Sequence, residues 1–138
     1  MVVPLNILIW NIRGVSQPDS LCYLRDLCNK NNIDFLVVIE PITSASQIHL
    51  FRLKLGFYAS LDFLGGQIWI FWKWALICIV LPMGNQLVNV DIVLSSSLKI
   101  CFSSVYGKRS RTARRPLWSV WEARAMEITS SWTVGGVF

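Results

Sequence analysis

A chain of 138 residues with 54% hydrophobic and 15% charged residues has ample apolar surface to offset the entropy of ordering, which excludes disorder and suggests one domain with a buried core. The net charge of +5 is local: Lys108, Arg109, Arg111, Arg114 and Arg115 supply five of the thirteen basic residues, and the other eight balance eight acids. Cys22, Cys28, Cys78 and Cys101 include no Cys-x-x-Cys pair and His49 is the single histidine, a composition that argues against a zinc site and for reduced, intracellular thiols.

The start, Met1 to Trp10, lacks the basic opening of a secretory signal and is followed at once by polar Asn11 and by Arg13. Asn6 to Trp10 reads as a strand feeding a loop that closes at Gly14. Pro18-Asp19-Ser20 offers a helix start, and Leu21, Leu24, Leu27 and Cys28 follow at helical spacing before Asn29 to Asn32 end the helix. Asp34 to Ile39 is an apolar run of strand length that delivers Glu40 at its carboxyl end. Ser44 to Leu55 is a second helix, capped by Thr43 or Ser44, with Ile48, Phe51 and Leu55 on one face and Gly56 as its stop.

Phe57 to Phe63, Ile68 to Trp72, Leu76 to Leu81, Leu87 to Leu94 and Lys99 to Val105 then read as successive strands of a β-meander. Turns are expected at Gly65-Gly66, at the Lys73-Trp74 region, at Pro82 to Asn85 and at Ser95 to Ser97. Ile68 to Leu81 is almost continuously apolar, but its fourteen residues, with Lys73 near the middle, fall short of a spanning helix of about 20. Two buried strands fit it better. Arg111 to Ile128 is a third helix, and Trp132 to Val134 a last short strand. Helices around a run of antiparallel strands imply an α/β fold of packed sheets with helices outside.

Asn11, Glu40, Tyr106 and Val137 each end or follow a predicted strand, where rigid scaffolds deliver functional groups. A carboxylate such as Glu40 at the end of an apolar strand must be solvated, paired or bound to a cation, because burying it alone is costly. A hard magnesium ion takes one or two carboxylates together with water and phosphate. Asn11 can both donate and accept, which suits a phosphate oxygen or a metal-bound water as well as an ordinary turn. Tyr106, taken alone, is a packing residue. Lys108 to Arg115 suits a phosphate backbone, and it equally suits a solvated loop and helix start. His49 is read as a partly exposed helix residue.

Four segments resemble, in order and spacing, the endonuclease/exonuclease/phosphatase family of magnesium-dependent phosphodiesterases. They are Trp10-Asn11-Ile12-Arg13-Gly14, Val38-Ile39-Glu40-Pro41, Ser104-Val105-Tyr106-Gly107 and Val134-Gly135-Gly136-Val137-Phe138. Within that family the sequence is similar to the endonuclease-like domains of plant LINE-type non-LTR retrotransposons. The resemblance implies that residues 1–138 form the first part, roughly half to two thirds, of such a domain. It also implies a four-layer α/β sandwich of two mainly antiparallel sheets flanked by helices and truncated at the C-terminus.

By the same resemblance Glu40 is the principal Mg2+ ligand, assisted by Asn11. Asn11 and Tyr106 orient the scissile phosphate, Arg13 adds a phosphate contact, and Lys108, Arg109, Arg111, Arg114 and Arg115 meet the DNA backbone. Where the family carries Gly-Gly-Asp-Phe-Asn, Val137 stands in place of the Asp, and the family's later Asp and His have no counterpart, so an inactive copy is expected. Two rival readings remain open: a basic nucleic-acid-binding fragment without catalysis, and a membrane-surface protein using Ile68 to Leu81. Exposed apolar surface is expected to cause self-association.

Overall fold

The structure, a computed structural model, describes residues 5–12, 18–63, 66–95, 98–108, 110–127 and 131–137. Its contacts fall into two compact units, Met1–Trp74 and Ala75–Phe138.

In the first unit β1 (Ile7–Asn11) and β2 (Phe35–Ile39) are joined by helix α1 (Pro18–Lys30) and pair in parallel, as a helical crossover allows and a tight turn does not. A single 3₁₀ turn, Ala45–Gln47, leads into α2 (Ile48–Leu55), and β3 (Ala59–Phe63) and β4 (Ile68–Trp72) form an antiparallel hairpin. The sheet order is β1-β2-β4-β3. The helix expected over Ser44 to Leu55 is α-helical only from Ile48, because the Ser44 hydroxyl and carbonyl take the N–H groups of Ser46 and Gln47 and hold the tighter turn. Gly56 stops α2 as anticipated, at φ +82°.

Leu36 and Val38 of β2 and Trp69 and Phe71 of β4 present one face to Leu24 and Cys28 of α1 and Leu55 of α2, with Phe57 beside them. Trp69 meets Phe71 edge-on at 6.3 Å and Phe51 at 5.5 Å, geometries that aromatic pairs favour. This core fixes the parallel strand pair that carries Asn11 and Glu40.

The second unit contains β5 (Ile77–Met83), β6 (Leu87–Ser95), β7 (Leu98–Tyr106), α3 (Arg111–Glu127) and β8 (Ser131–Val137), with sheet order β5-β6-β7-β8. β7 and β8 are parallel across α3, so each unit carries one β-α-β crossover. Leu117 of α3 packs on Leu87 and Val105, with Val120 and Trp121 around them. Arg124 reaches Asp91 at 3.3 Å, and Lys99 meets the other carboxylate oxygen at 3.3 Å, fixing the helix to β6 and β7.

Several sequence expectations need correction. The meander is not continuous: β4 is already flanked by β2 and β3, so it has no free edge for β5, which begins the other sheet. Lys73-Trp74 is therefore a connection and not a hairpin turn. β5 is half exposed, with Ile77, Ile79 and Leu81 at 64%, 59% and 53% on alternate positions, whereas Ile68 to Phe71 of β4 are buried. Pro82 and Met83 extend β5, an edge strand that tolerates a missing N–H, and the turn follows at Gly84. The last strand runs on to Val137, so the Gly-Gly-Val segment is paired strand and not a loop.

Candidate active site

Because β1 and β2 run parallel with Asn11 opposite Ile39, Asn11 and Glu40 emerge side by side at the carboxyl ends of adjacent strands. The chain leaves β2 by an abrupt bend. Glu40 has φ +55° and Ile42 φ +48°, on either side of buried Pro41. For a β-branched isoleucine this is a costly conformation, and strain of this kind concentrates at functional sites. The bend is held by the Glu40 N–H donating to the Gln67 carbonyl at 2.9 Å, and by the Ile12 N–H donating to the Ile39 carbonyl at 3.1 Å. Glu40 is partly exposed. The Asn11 Oδ1 is buried and has no hydrogen-bond partner among the described residues, an arrangement that leaves an acceptor ready for an external group.

The second unit repeats the arrangement. Tyr106 and Val137 pair at the carboxyl ends of parallel β7 and β8. The strands approach so closely that a Cβ on Gly136 (φ +143°) would lie 2.0 Å from the Val105 carbonyl oxygen. Two residues before Tyr106, the Ser104 hydroxyl is buried with no partner among the described residues. The Tyr106 N–H donates to the Gln86 carbonyl at 2.9 Å. Asn11 and Glu40 thus stand together in one unit, Tyr106 and Val137 in the other, all four at strand ends. Among the described residues no group of three or more His, Cys, Asp or Glu gathers to hold a metal.

The basic segment straddles the start of α3. Ser110 caps it, its hydroxyl accepting from the Ala113 N–H at 3.0 Å. Lys108, Arg111 and Arg115 are exposed; Arg114 is half-buried and its guanidinium donates to the Lys108 carbonyl at 3.0 Å. No acidic residue lies in the first turn of α3, so these cations add to the positive end of the helix dipole. Arg13 and Arg109 lie outside the described residues. His49 is exposed and shares a 3.0 Å contact with Arg52.

Sequence reasoning passed over Gln86. Its buried side chain donates to the Ala113 carbonyl at 2.9 Å and accepts from the Lys108 N–H at 2.8 Å, so one amide fixes both the helix and the loop that carry the basic residues. It also missed the buried pair Asn89 and Ser103, where the Ser103 hydroxyl donates to the Asn89 Oδ1. The available signal was a polar residue at a core position of an otherwise apolar strand.

Among the described residues two four-stranded mixed sheets with three α-helices give this chain the α/β fold class of the endonuclease/exonuclease/phosphatase proteins, as its motifs led us to expect. Among solved structures it is similar to the endonuclease domain of TRAS1, a telomere-specific non-LTR retrotransposon, with TM-score 0.65 and 15% identity over 96% of this chain and 58% of that one. It is also similar to a humanized D. rerio TDP2 (TM-score 0.65, 12% identity, 96% of this chain and 65% of that one). A third is an endonuclease/exonuclease/phosphatase family protein from Bacteroides thetaiotaomicron (TM-score 0.65, 10% identity, 96% and 62%). The chain therefore spans about three fifths of the length of these structures. No protein-family description and no curated protein sequence matches it.

Proposed function

We propose that this chain is a degenerate copy of a retrotransposon-type, magnesium-dependent DNA endonuclease domain, of the plant LINE kind, which retains phosphate binding and has lost efficient cleavage. The observation that carries the reading is the placing of Asn11 and Glu40 at the ends of adjacent parallel strands, with a buried amide oxygen that has no partner among the described residues and a carboxylate on a strained bend. One carboxylate and one amide oxygen fit a hydrated magnesium ion, which takes its other ligands from water and phosphate. Bound there, the ion would neutralise charge on a phosphodiester.

Asn11 and Tyr106 would orient that phosphate, and Lys108, Arg109, Arg111, Arg114 and Arg115, with Arg13, would contact its neighbours along DNA. Val137 offers no proton acceptor where the resemblance calls for an aspartate. General acid or base groups contribute about 10² to 10⁴ in rate, so nicking is expected to be negligible.

Mn2+ serves as the paramagnetic probe. Expected are attenuation of the free Mn2+ signal by the protein, its loss in Glu40→Ala, and line broadening at the amides of Asn11, Glu40 and Tyr106. Absence of Mn2+ binding contradicts the metal site at Glu40, and broadening that spares Tyr106 contradicts its proposed role. Supercoiled plasmid nicked in magnesium by both the wild type and Glu40→Ala would refute the reading.

The exposure of Lys108, Arg111 and Arg115 favours a second reading, binding of nucleic acid without any metal. It is distinguished by salt-dependent DNA retention that Glu40→Ala leaves unchanged.

A further inference from the structure

A cavity of about 620 Å³ opens in the first unit, lined by Gly56, Phe57, Tyr58, Lys73 and Trp74. It lies at the opposite end of the first sheet from Asn11 and Glu40. Tyr58 precedes β3 and Lys73 follows β4, at the end of the sheet where Ala59, Trp72 and Phe35 lie in register. Asn11 pairs with Ile39, and Ile39 with Ile68, at the other end. Five-residue strands separate the two ends by on the order of 15 Å.

The walls of this cavity are aromatic and accessible. Trp74 is 78% exposed and Tyr58 67%, unusual for rings that burial would stabilise, while Phe57 is buried against Phe71 at 5.9 Å and makes a firm floor. The backbone around it is tied down: the Tyr58 N–H donates to the Trp72 carbonyl at 3.0 Å and the Lys73 N–H to the Asp34 carbonyl at 3.0 Å. Arg52 donates to the carbonyls of both Phe57 and Tyr58 at 3.1 Å. Lys73 stands 3.9 Å from Asp34 with its side chain 41% exposed, so the one charged residue lining the cavity is a solvent-accessible cation.

The geometry points to a second ligand site here, one that takes a nucleotide, its base stacked on the Trp74 and Tyr58 rings and its phosphate at Lys73. Accessible aromatic faces next to a cation are the chemistry by which proteins hold unstacked bases. A duplex keeps its bases paired and offers none, so the site selects single strands or free nucleotides. This inference does not depend on Glu40, magnesium or cleavage.

Anisotropy of a labelled ten-residue oligothymidylate tests it on the full chain, with the equivalent duplex, thymidine monophosphate and inorganic phosphate as separate arms. Trp74→Ala and Tyr58→Ala are each expected to weaken single-strand binding by about fivefold or more, Trp74→Phe to retain most of it, and duplex binding to stay within about twofold. Competition by thymidine monophosphate, and not by phosphate, would support a free nucleotide as the occupant; failure to compete would support the strand alone. Far-ultraviolet circular dichroism establishes that the variants are folded, which the exposure of both side chains favours. Charge neutralisation at Lys108, Arg111, Arg114 and Arg115 should reduce duplex binding and leave the stacking contribution intact. Wild-type protein that binds no single strand, or an aromatic double variant that binds one normally, would overturn the proposal. Equal losses for single strand and duplex would also overturn it.

Discussion

Glu40 pairs its proposed metal-binding role with an unfavourable backbone. A non-glycine residue at φ +55° costs about 1 kcal/mol, and Ile42 on the far side of Pro41 adds a similar strain. Comparing Glu40→Gly with Glu40→Ala isolates that cost, because both remove the carboxylate and only glycine accepts the left-handed conformation. The glycine variant should be more stable in urea by about 1 kcal/mol; equal midpoints would show that the bend is not as described. Gly136 is the opposite case, a residue that admits no substitute, since a Cβ would meet the Val105 backbone at 2.0 Å. Gly136→Ala should destabilise by about 2–4 kcal/mol, and a wild-type unfolding curve would refute the close approach of β8.

Burial pushes the Cys28 thiol from its ordinary value near 9 up to about 11 and that of Cys78 to about 12. Above pH 9 the unfolded chain therefore loses thiol protons that the folded chain keeps, so folding stability is fully present below pH 9 and falls as pH rises through the folded values. Chemical unfolding between pH 8 and 11 should show this decline, and Cys28→Ala should flatten it even while lowering stability overall. An unchanged slope would mean that Cys28 is solvated.

At the scale of elements, α3 does two opposed things. Its Ser110 cap and the Gln86 clamp stabilise its start, while Arg111, Arg114 and Arg115 in the first turns oppose the helix dipole. A helix built only for stability would place acids there. Arg111→Glu should raise unfolding stability by about 0.3–1 kcal/mol and weaken DNA binding at the same time. A variant that is stabilised with DNA affinity unchanged would remove α3 from the binding surface.

At the scale of the whole molecule, β5 is an edge strand whose alternate residues Ile77, Ile79 and Leu81 are exposed, and unpaired edges with apolar faces promote association between chains. Sedimentation should show concentration-dependent self-association that Ile79→Lys reduces; a monodisperse wild-type monomer at high concentration would contradict this. Five cations, Lys108, Arg109, Arg111, Arg114 and Arg115, limit the electrostatics. From those contacts the slope of log affinity against log salt should be no steeper than roughly −4.5, and neutralising them together should flatten it.

The sequence by itself determined the order of elements and the strand ends at which the candidate residues stand, because apolar runs, helical spacing and glycine stops are local signals. Ile68–Trp72 and the Gly56 stop lie where they were read, and Asn11, Glu40, Tyr106 and Val137 end or follow their strands. Which strand joins which sheet was not legible. That β5 leaves β4 depends on β2 and β3 already occupying both edges of β4, and that Gly135 to Val137 are strand depends on β7 lying alongside; neither fact is written in the residues concerned. The strained bend at Glu40 and Ile42, the orphaned Asn11 oxygen and the Gln86 clamp likewise arise from long-range contacts. A local pattern fixes what each segment prefers, and the tertiary structure decides which of its hydrogen-bonding groups and apolar faces find partners.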